Sequence, residues 1–123
     1  MKFALFTHMS WPEGIEPRQV IEETVEQVQF GEQLGFYSAW FAEHHFSRYS
    51  IGSSALVIAT SVAARTSTIR LGTGVLVPTL QHPIRLAEDT ATVDLVSGGR
   101  LDVGFGRGTF GYEYDGFGVD PEE

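Results

Sequence analysis

The chain has 123 residues, 42% hydrophobic and 20% charged, the size and composition of one ordinary globular domain. Sixteen acidic residues against eight basic ones give a formal net charge of −8, which argues against a broad nucleic-acid surface, and the lack of cysteine excludes disulfides, thiolate metal sites and a cysteine nucleophile. No apolar run approaches the ~20 residues of a membrane span, and Met1-Lys2-Phe3 leads straight into strand-like sequence with no signal peptide, which fits a cytoplasmic chain.

Taken in order, Lys2–Thr7 reads as a buried strand through Phe3, Leu5 and Phe6. A loop carrying Trp11-Pro12 and Gly14 follows, and Pro17 suits the first turn of a helix. Val20, Ile21, Val25, Val28 and Leu34 share one helical face, and Gly35 stops it. Ser38–Ala42 is the second strand. Ser53 or Ser54 is placed to cap a second helix that buries Ala55, Leu56, Ile58, Ala59 and Val62. Ile69–Val77 is the third strand, with Gly72 and Gly74 inside it. Pro83 opens a third helix whose Leu86, Val93 and Leu95 face inward, and Ser97-Gly98-Gly99 ends it. Arg100–Gly106 is the fourth strand, followed by a Gly- and Tyr-rich tail. The acidic clusters Glu13–Glu32 and Glu113–Glu123 read most simply as solvated surface.

Strand starts near positions 3, 38, 69 and 101 give a βα repeat of a parallel sheet with helical crossovers. A doubly wound dinucleotide fold would carry G-x-G-x-x-G after its first strand; here that turn is His8-Met9-Ser10-Trp11-Pro12. The residues able to do chemistry instead gather after several strands, as on the active face of a (β/α)8 barrel. A complete barrel needs ~250 residues, so the expectation is an α/β fold comprising the N-terminal half of a (β/α)8 TIM barrel, with about four strands and three helices over 1–123 and its C-terminal half absent.

The strongest chemical signal is Trp40-Phe41-Ala42-Glu43-His44-His45-Phe46. Consecutive side chains at a strand end point to opposite sides, so His44 and His45 serve different purposes: one lines a cavity, the other anchors the loop. Histidine exchanges protons near neutrality, and Glu43 is placed either to orient one of them or to form a loop ion pair. His44 on its own also fits a strand-end histidine bonded to a carbonyl. Only His8 and His82 remain as further histidines, and neither sits at a metal-ligand spacing. Gly72 and Gly74 mark a bulge or the close approach of another group. Gly106-Arg107-Gly108 offers a cation beside backbone that can approach a phosphate, or a surface ion pair. His82-Pro83 with Arg85 and Glu88-Asp89 reads as a helix start with a capping network, and Trp40 and Phe41 as core.

Together with Leu34-Gly35-Phe36, Leu71-Gly72-Thr73-Gly74, Pro78-Thr79, Ser97-Gly98-Gly99-Arg100-Leu101 and Phe117-Gly118, these motifs resemble the bacterial luciferase-like flavin-dependent monooxygenases, from Met1 to about Asp120. The resemblance implies a barrel that binds reduced FMN, supplied by a separate flavin reductase, and uses dioxygen to oxidise a small organic substrate, an aldehyde in the luciferases. It implies His44 as catalytic acid or base with His45 and Glu43 beside it. It implies a cis Gly74–Val75 peptide under the flavin ring, Gly106 and Arg107 at the FMN phosphate, and Phe6 as a flavin or substrate contact. The luciferases proper carry a cysteine where this chain has Gly106, which removes one luminescence-specific feature. Related barrels transfer hydride with a deazaflavin coenzyme, and a non-catalytic flavin-binding relative is a further alternative. Family members often dimerise through early helices, for which the Val20–Val28 and Leu86–Leu95 faces are available; both faces equally suit packing on the sheet.

Overall fold

A computed structural model describes residues 1–120. Four parallel strands, β1 (Ala4–Thr7), β2 (Ser38–Phe41), β3 (Arg70–Leu76) and β4 (Leu101–Phe105), lie in the order of the chain. They alternate with helices α1 (Pro17–Gln33), α2 (Ala55–Ala63) and α3 (Pro83–Ser97), and a short helix α4 (Gly111–Phe117) follows β4. The register runs in step, Thr7 beside Phe41 and Phe41 beside Thr73. All four C-terminal strand ends therefore open on one side. This is the arrangement of a partial (β/α) barrel, with β1 and β4 as edge strands. The tail beyond β4 differs from the sequence expectation. Gly111–Phe117 is helical, closed by Gly118 in the left-handed region (φ 68°). The remainder of the acidic C-terminal cluster, residues 121–123, lies outside the described residues.

The core forms where the helices cover one face of the sheet. Val20, Val25 and Val28 of α1, the apolar face of α2, and Leu86 and Val93 of α3 pack against Ala39, Phe41 and Leu71. The helix faces open to a dimer reading are thus used on the sheet. Ser54 caps α2 by accepting the Val57 N–H at 3.4 Å. Pro83 starts α3 without a side-chain cap from His82; Arg85 instead pairs with Glu88 (3.5 Å) and Asp89 (3.1 Å) along the helix surface. Leu95 does not face inward. It is 82% exposed, because two residues beyond buried Val93 is about 200° round the helix.

The opposite face, which lines the inside of the barrel, is sparsely filled. Trp40 is half-buried there, not in the main core, and lies across Gly72, where any Cβ would collide with the indole. Phe6 is 57% exposed on the same face, and Phe3 is also exposed, so β1 is an edge strand and not the buried strand its apolar residues suggest. At the N-terminal end Arg70 grips Asp102 bidentately, at 2.7 and 2.6 Å. Between Thr73 and Leu76 the β3–β4 register slips. There Thr73 Oγ1 donates to the Gly104 carbonyl and accepts the Gly104 N–H, replacing ladder bonds with side-chain ones. The bulge reading of the Gly72–Gly74 segment is therefore correct as far as backbone is concerned.

One motif residue and one member of the first acidic cluster prove structural. Arg100 donates to the carbonyls of Ala63, Thr66, Ile69 and Ser97, tying the end of α2 to the start of β4. Glu32 is not simply solvated: its Oε1 accepts the N–H groups of Ser67 (2.8 Å), Thr68 (2.6 Å) and Ile69 (2.9 Å), fixing the turn into β3. Burial works to raise the Glu32 carboxyl, but these donors together lower it from 4.5 to about 2. A depressed folded-state value contributes stability that is present above pH 4.5 and is lost as pH falls towards 2. Glu32→Gln should accordingly flatten the acid side of the stability curve, measured as urea midpoints across that range. An unchanged slope would remove Glu32 from this role.

Candidate functional site

The site is assembled from all four strand ends. β1 delivers His8, β2 delivers Glu43, His44 and His45, β3 delivers Gly74, Val75 and Val77, and the segment from β4 into α4 delivers Gly106, Arg107, Gly108 and Glu113. A cavity of 370 Å³ is lined by Glu43, His44, Gly74, Val75, Val77, Gly106, Arg107, Gly108, Thr109 and Glu113. Six residues predicted from sequence to bind cofactor or do catalysis, Glu43, His44, Gly74, Val75, Gly106 and Arg107, share it. A groove of 680 Å³ between α3 and β4 is larger, but it is lined by Pro83, Leu86, Val103 and Phe105 and lacks titratable side chains other than Asp94.

His44 and His45 diverge as expected, although both lie in the loop beyond β2 and not in the strand itself. His44 faces the cavity, and its ring meets Tyr49 (4.9 Å, edge-on), Phe110 (5.5 Å) and, face to face, His8 (5.3 Å). His45 does not line the cavity; its ring packs edge-on against Phe117 at 4.8 Å. Each histidine has its own carboxylate. Glu43 Oε1 is 3.3 Å from His45 Nε2, and Gln81 Nε2 donates to the same oxygen at 3.3 Å. Glu43 therefore serves His45, not His44. It is 4% exposed, and burial pushes its carboxyl above the ordinary value, with the His45 hydrogen bond opposing.

Glu113 serves His44. Only 2% exposed, it accepts the His45 backbone N–H at 2.8 Å, and the same oxygen lies 3.4 Å from His44 Nδ1. That separation gives Coulombic attraction but not an aligned hydrogen bond, so Nδ1 is buried without a hydrogen-bond partner. This corrects the reading of the C-terminal acidic cluster as solvated surface: its first member is an interior site residue. Sequence reasoning missed Glu113 and Gln81 as well as His8. Position alone could have flagged His8, which stands one residue past the end of β1 on the face where the other strand ends carry their chemistry.

Backbone of β3 and of the segment after β4 lines the same cavity as His44. The Gly74–Val75 peptide is cis. A Cβ at Gly106 would strike Val75, and one at Gly74 would press to 3.0 Å from the Phe6 ring. Gly108 has φ 83°, a conformation that favours glycine, and lets the chain turn after Arg107, whose carbonyl accepts the Tyr114 hydroxyl. Phe6 stands beside Gly74 but does not line this cavity; it lines a neighbouring one of 280 Å³ with His8, Ser10, Glu23, Thr24 and Gln27. Among the described residues no group of three or more His, Cys, Asp or Glu is placed to hold a metal ion, and no helix is long and apolar enough to cross a membrane.

A parallel βα sheet with a strand-end cavity that joins a histidine, glycine backbone and an arginine defines a barrel-type ligand site. The sequence pattern of the luciferase-like monooxygenases matches residues 1–123, and the chain belongs to that family. It is 35% identical over 116 residues to the oxygenase component of a flavin-dependent trigonelline monooxygenase from Acinetobacter baylyi, covering 94% of this chain and 32% of that protein. The crystal structure of monooxygenase RslO1 from Streptomyces bottropensis superposes with a TM-score of 0.93 at 34% identity, covering 98% of this chain and 37% of that one. A coenzyme F420 dependent tetrahydromethanopterin reductase from Methanopyrus kandleri superposes with a TM-score of 0.75 at 27% identity, covering 98% and 31%. The chain thus spans about a third of the length of the relatives it matches.

The residues fit a flavin on structural grounds. Gly74 and Gly106 bring backbone to the cavity lining, Arg107 provides a cation in the same cavity, and buried polar atoms of Glu43 (Oε2) and His44 (Nδ1) lack hydrogen-bond partners.

Proposed function

We propose that this chain forms the flavin-binding and proton-handling part of a flavin-dependent monooxygenase barrel. In this reading it uses reduced FMN from a separate reductase, and dioxygen, to oxidise a small organic substrate. The single observation that carries the reading is the shared cavity, lined together by His44, Gly74, Val75 and the Gly106–Gly108 loop. Membership of the family and the similarity to a protein described as an oxygenase component support the two-component arrangement.

Reduced flavin, when bound, supplies the electrons that activate dioxygen; the protein supplies everything else. Gly74, Val75 and Gly106 would bound the ring, and Arg107 would hold the phosphate with charge-assisted hydrogen bonds. Glu113 beside His44 Nδ1 favours the tautomer with its proton there, leaving Nε2 as the basic atom of the ring. His44 can then accept a proton from substrate or return it. His45, paired with Glu43, holds the loop that carries His44. The aromatic rings of Tyr49, Phe110 and Phe46 around the histidines offer an apolar surface that limits water at the reacting atoms.

The likeness to the coenzyme F420 dependent reductase favours a second reading, hydride transfer from a deazaflavin. Anaerobic titration with reduced FMN, then with a reduced deazaflavin, followed by isotopically labelled dioxygen, separates the two. Saturable binding of reduced FMN with labelled oxygen entering product is the expected result. Binding of the deazaflavin alone, with no dioxygen consumed, would overturn the monooxygenase reading in favour of the second.

A further inference from the structure

His8 is the group the proposed chemistry leaves unused, and its surroundings are specific. It leaves β1 directly after Thr7, while His44 leaves the adjacent β2 three residues after Phe41, the register partner of Thr7. The chain then turns sharply: Met9 has φ 52°, its N–H donates to Thr7 Oγ1 at 3.3 Å, and its carbonyl accepts the Ile51 N–H at 2.9 Å. This turn fixes the His8 backbone against the loop after β2. The two imidazoles lie 5.3 Å apart and within 4° of parallel. Tyr49 presents its ring edge-on to both, at 4.7 Å from His8 and 4.9 Å from His44, and Phe6 meets His8 edge-on at 5.3 Å. The Nδ1 atoms of both histidines are buried without hydrogen-bond partners.

We propose that His8 and His44 act as one acid–base unit that takes up no more than one proton across the working pH range. An imidazolium over a neutral aromatic ring is attracted to its face, whereas two imidazolium rings at this spacing repel. The first proton is therefore accommodated by the stack and the second is resisted. The groups facing the pair decide where the first one rests. Glu113, from α4, lies 3.4 Å from His44 Nδ1. Glu43 and Arg107 share the His44 cavity, and Arg48 lines a further cavity beside His44. On the His8 side the charged group is Glu23 of α1, across a 280 Å³ cavity, with no ion-pair contact to the ring among the described residues. His45 turns to Glu43 and Tyr49 contacts both rings, so neither favours His8. The proton accordingly rests on His44, and His8 stays neutral beneath it. Burial, and next the neighbouring His44, lower His8 from its ordinary value, in agreement with this order.

The consequence for activity rests on the monooxygenase reading: the acid limb of the pH profile would belong to the pair and not to His44 alone. His8 is on this view a positioning residue that sets how many protons the site holds. The pairing itself needs no flavin, so it is tested without one. The four histidines of this sequence are followed in the full chain by carbon-13 NMR of the imidazole Cε1 as pH is lowered. In the parent protein the His8 signal should respond in two stages, once as His44 titrates and again, at lower pH, when it takes its own proton. In His44→Phe, which keeps an aromatic ring in the stack, the first stage should vanish and the His8 midpoint should rise by roughly half to one pH unit. Glu113→Gln retains an oxygen for the His45 N–H and removes the charge; it too should raise the His8 midpoint and serves if the first variant does not fold. Single-stage His8 titration with an unmoved midpoint in the folded variant overturns the pairing. That outcome would leave FMN binding untouched, and a failure of FMN binding would leave the titration untouched.

Discussion

Replacing His44 with alanine is expected to lower turnover by about 10²–10⁴-fold, the usual contribution of a positioned acid or base, with reduced-FMN binding preserved. The structure gives two reasons for separating the effects. His44 shares the cavity with the proposed flavin contacts, but those come from β3 and the segment after β4, which the substitution does not touch. The histidine is also held by neighbours that stay in place: Glu113 keeps its bond to the His45 N–H, and Tyr49 keeps its contact with Phe110. Steady-state turnover beside an anaerobic FMN titration measures both. Turnover within the range of the parent protein would take His44 out of proton transfer; a matching collapse of FMN affinity would make it a binding residue.

Arg107 is expected to show the converse. Arg107→Ala should weaken FMN by about 1.5–3 kcal/mol, roughly tenfold to hundredfold, the worth of hydrogen bonds to a charged group. Riboflavin, which has the same ring and no phosphate, should bind the variant and the parent alike. The loop should survive the change because it is shaped by backbone: Gly106 N–H donates to the Leu76 carbonyl, Gly108 makes the turn, and the Arg107 carbonyl accepts from Tyr114. Equal weakening of FMN and riboflavin would place Arg107 elsewhere than at the phosphate. Arg107→Lys distinguishes charge from geometry, since an ammonium restores the charge but not the planar fork.

The two predictions act on one cavity, and the βα frame explains how their residues come to share it. Four strands in chain order and in register bring residues tens of positions apart to one end of the sheet. Loops at that end are free to carry polar groups, while the helix-covered face behind them supplies the stability. The polar residues at the other end, Arg70 and Asp102, hydrogen-bond each other, and Arg70 also donates to nearby carbonyls, as expected of a structural end.

The sequence by itself determined the alternation of strands and helices, because apolar period, proline starts and glycine stops are local: Pro17, Gly35, Ser54, Pro83 and Gly98 all stand where they were read. It also pointed to His44 and His45 diverging, although the strand ends at Phe41 and the loop path, not strand alternation, sets their directions. The flavin contacts proposed at Gly74, Val75, Gly106 and Arg107 rest on motif resemblance and not on pattern, for a glycine pair or a lone arginine has several meanings. Only the tertiary structure decided the rest. Glu113 lies 68 residues from His45 and reads as one more acid in an acidic tail until α4 folds it inward. Glu43 could have served either histidine; the loop geometry and Gln81 gave it to His45. His8 carried no motif, and its stacking on His44 follows from β1 pairing with β2. Local periodicity fixes which face a residue takes within its own element, whereas the pairing of charges and rings across elements depends on register and on loop paths, to which neighbouring residues in sequence are blind.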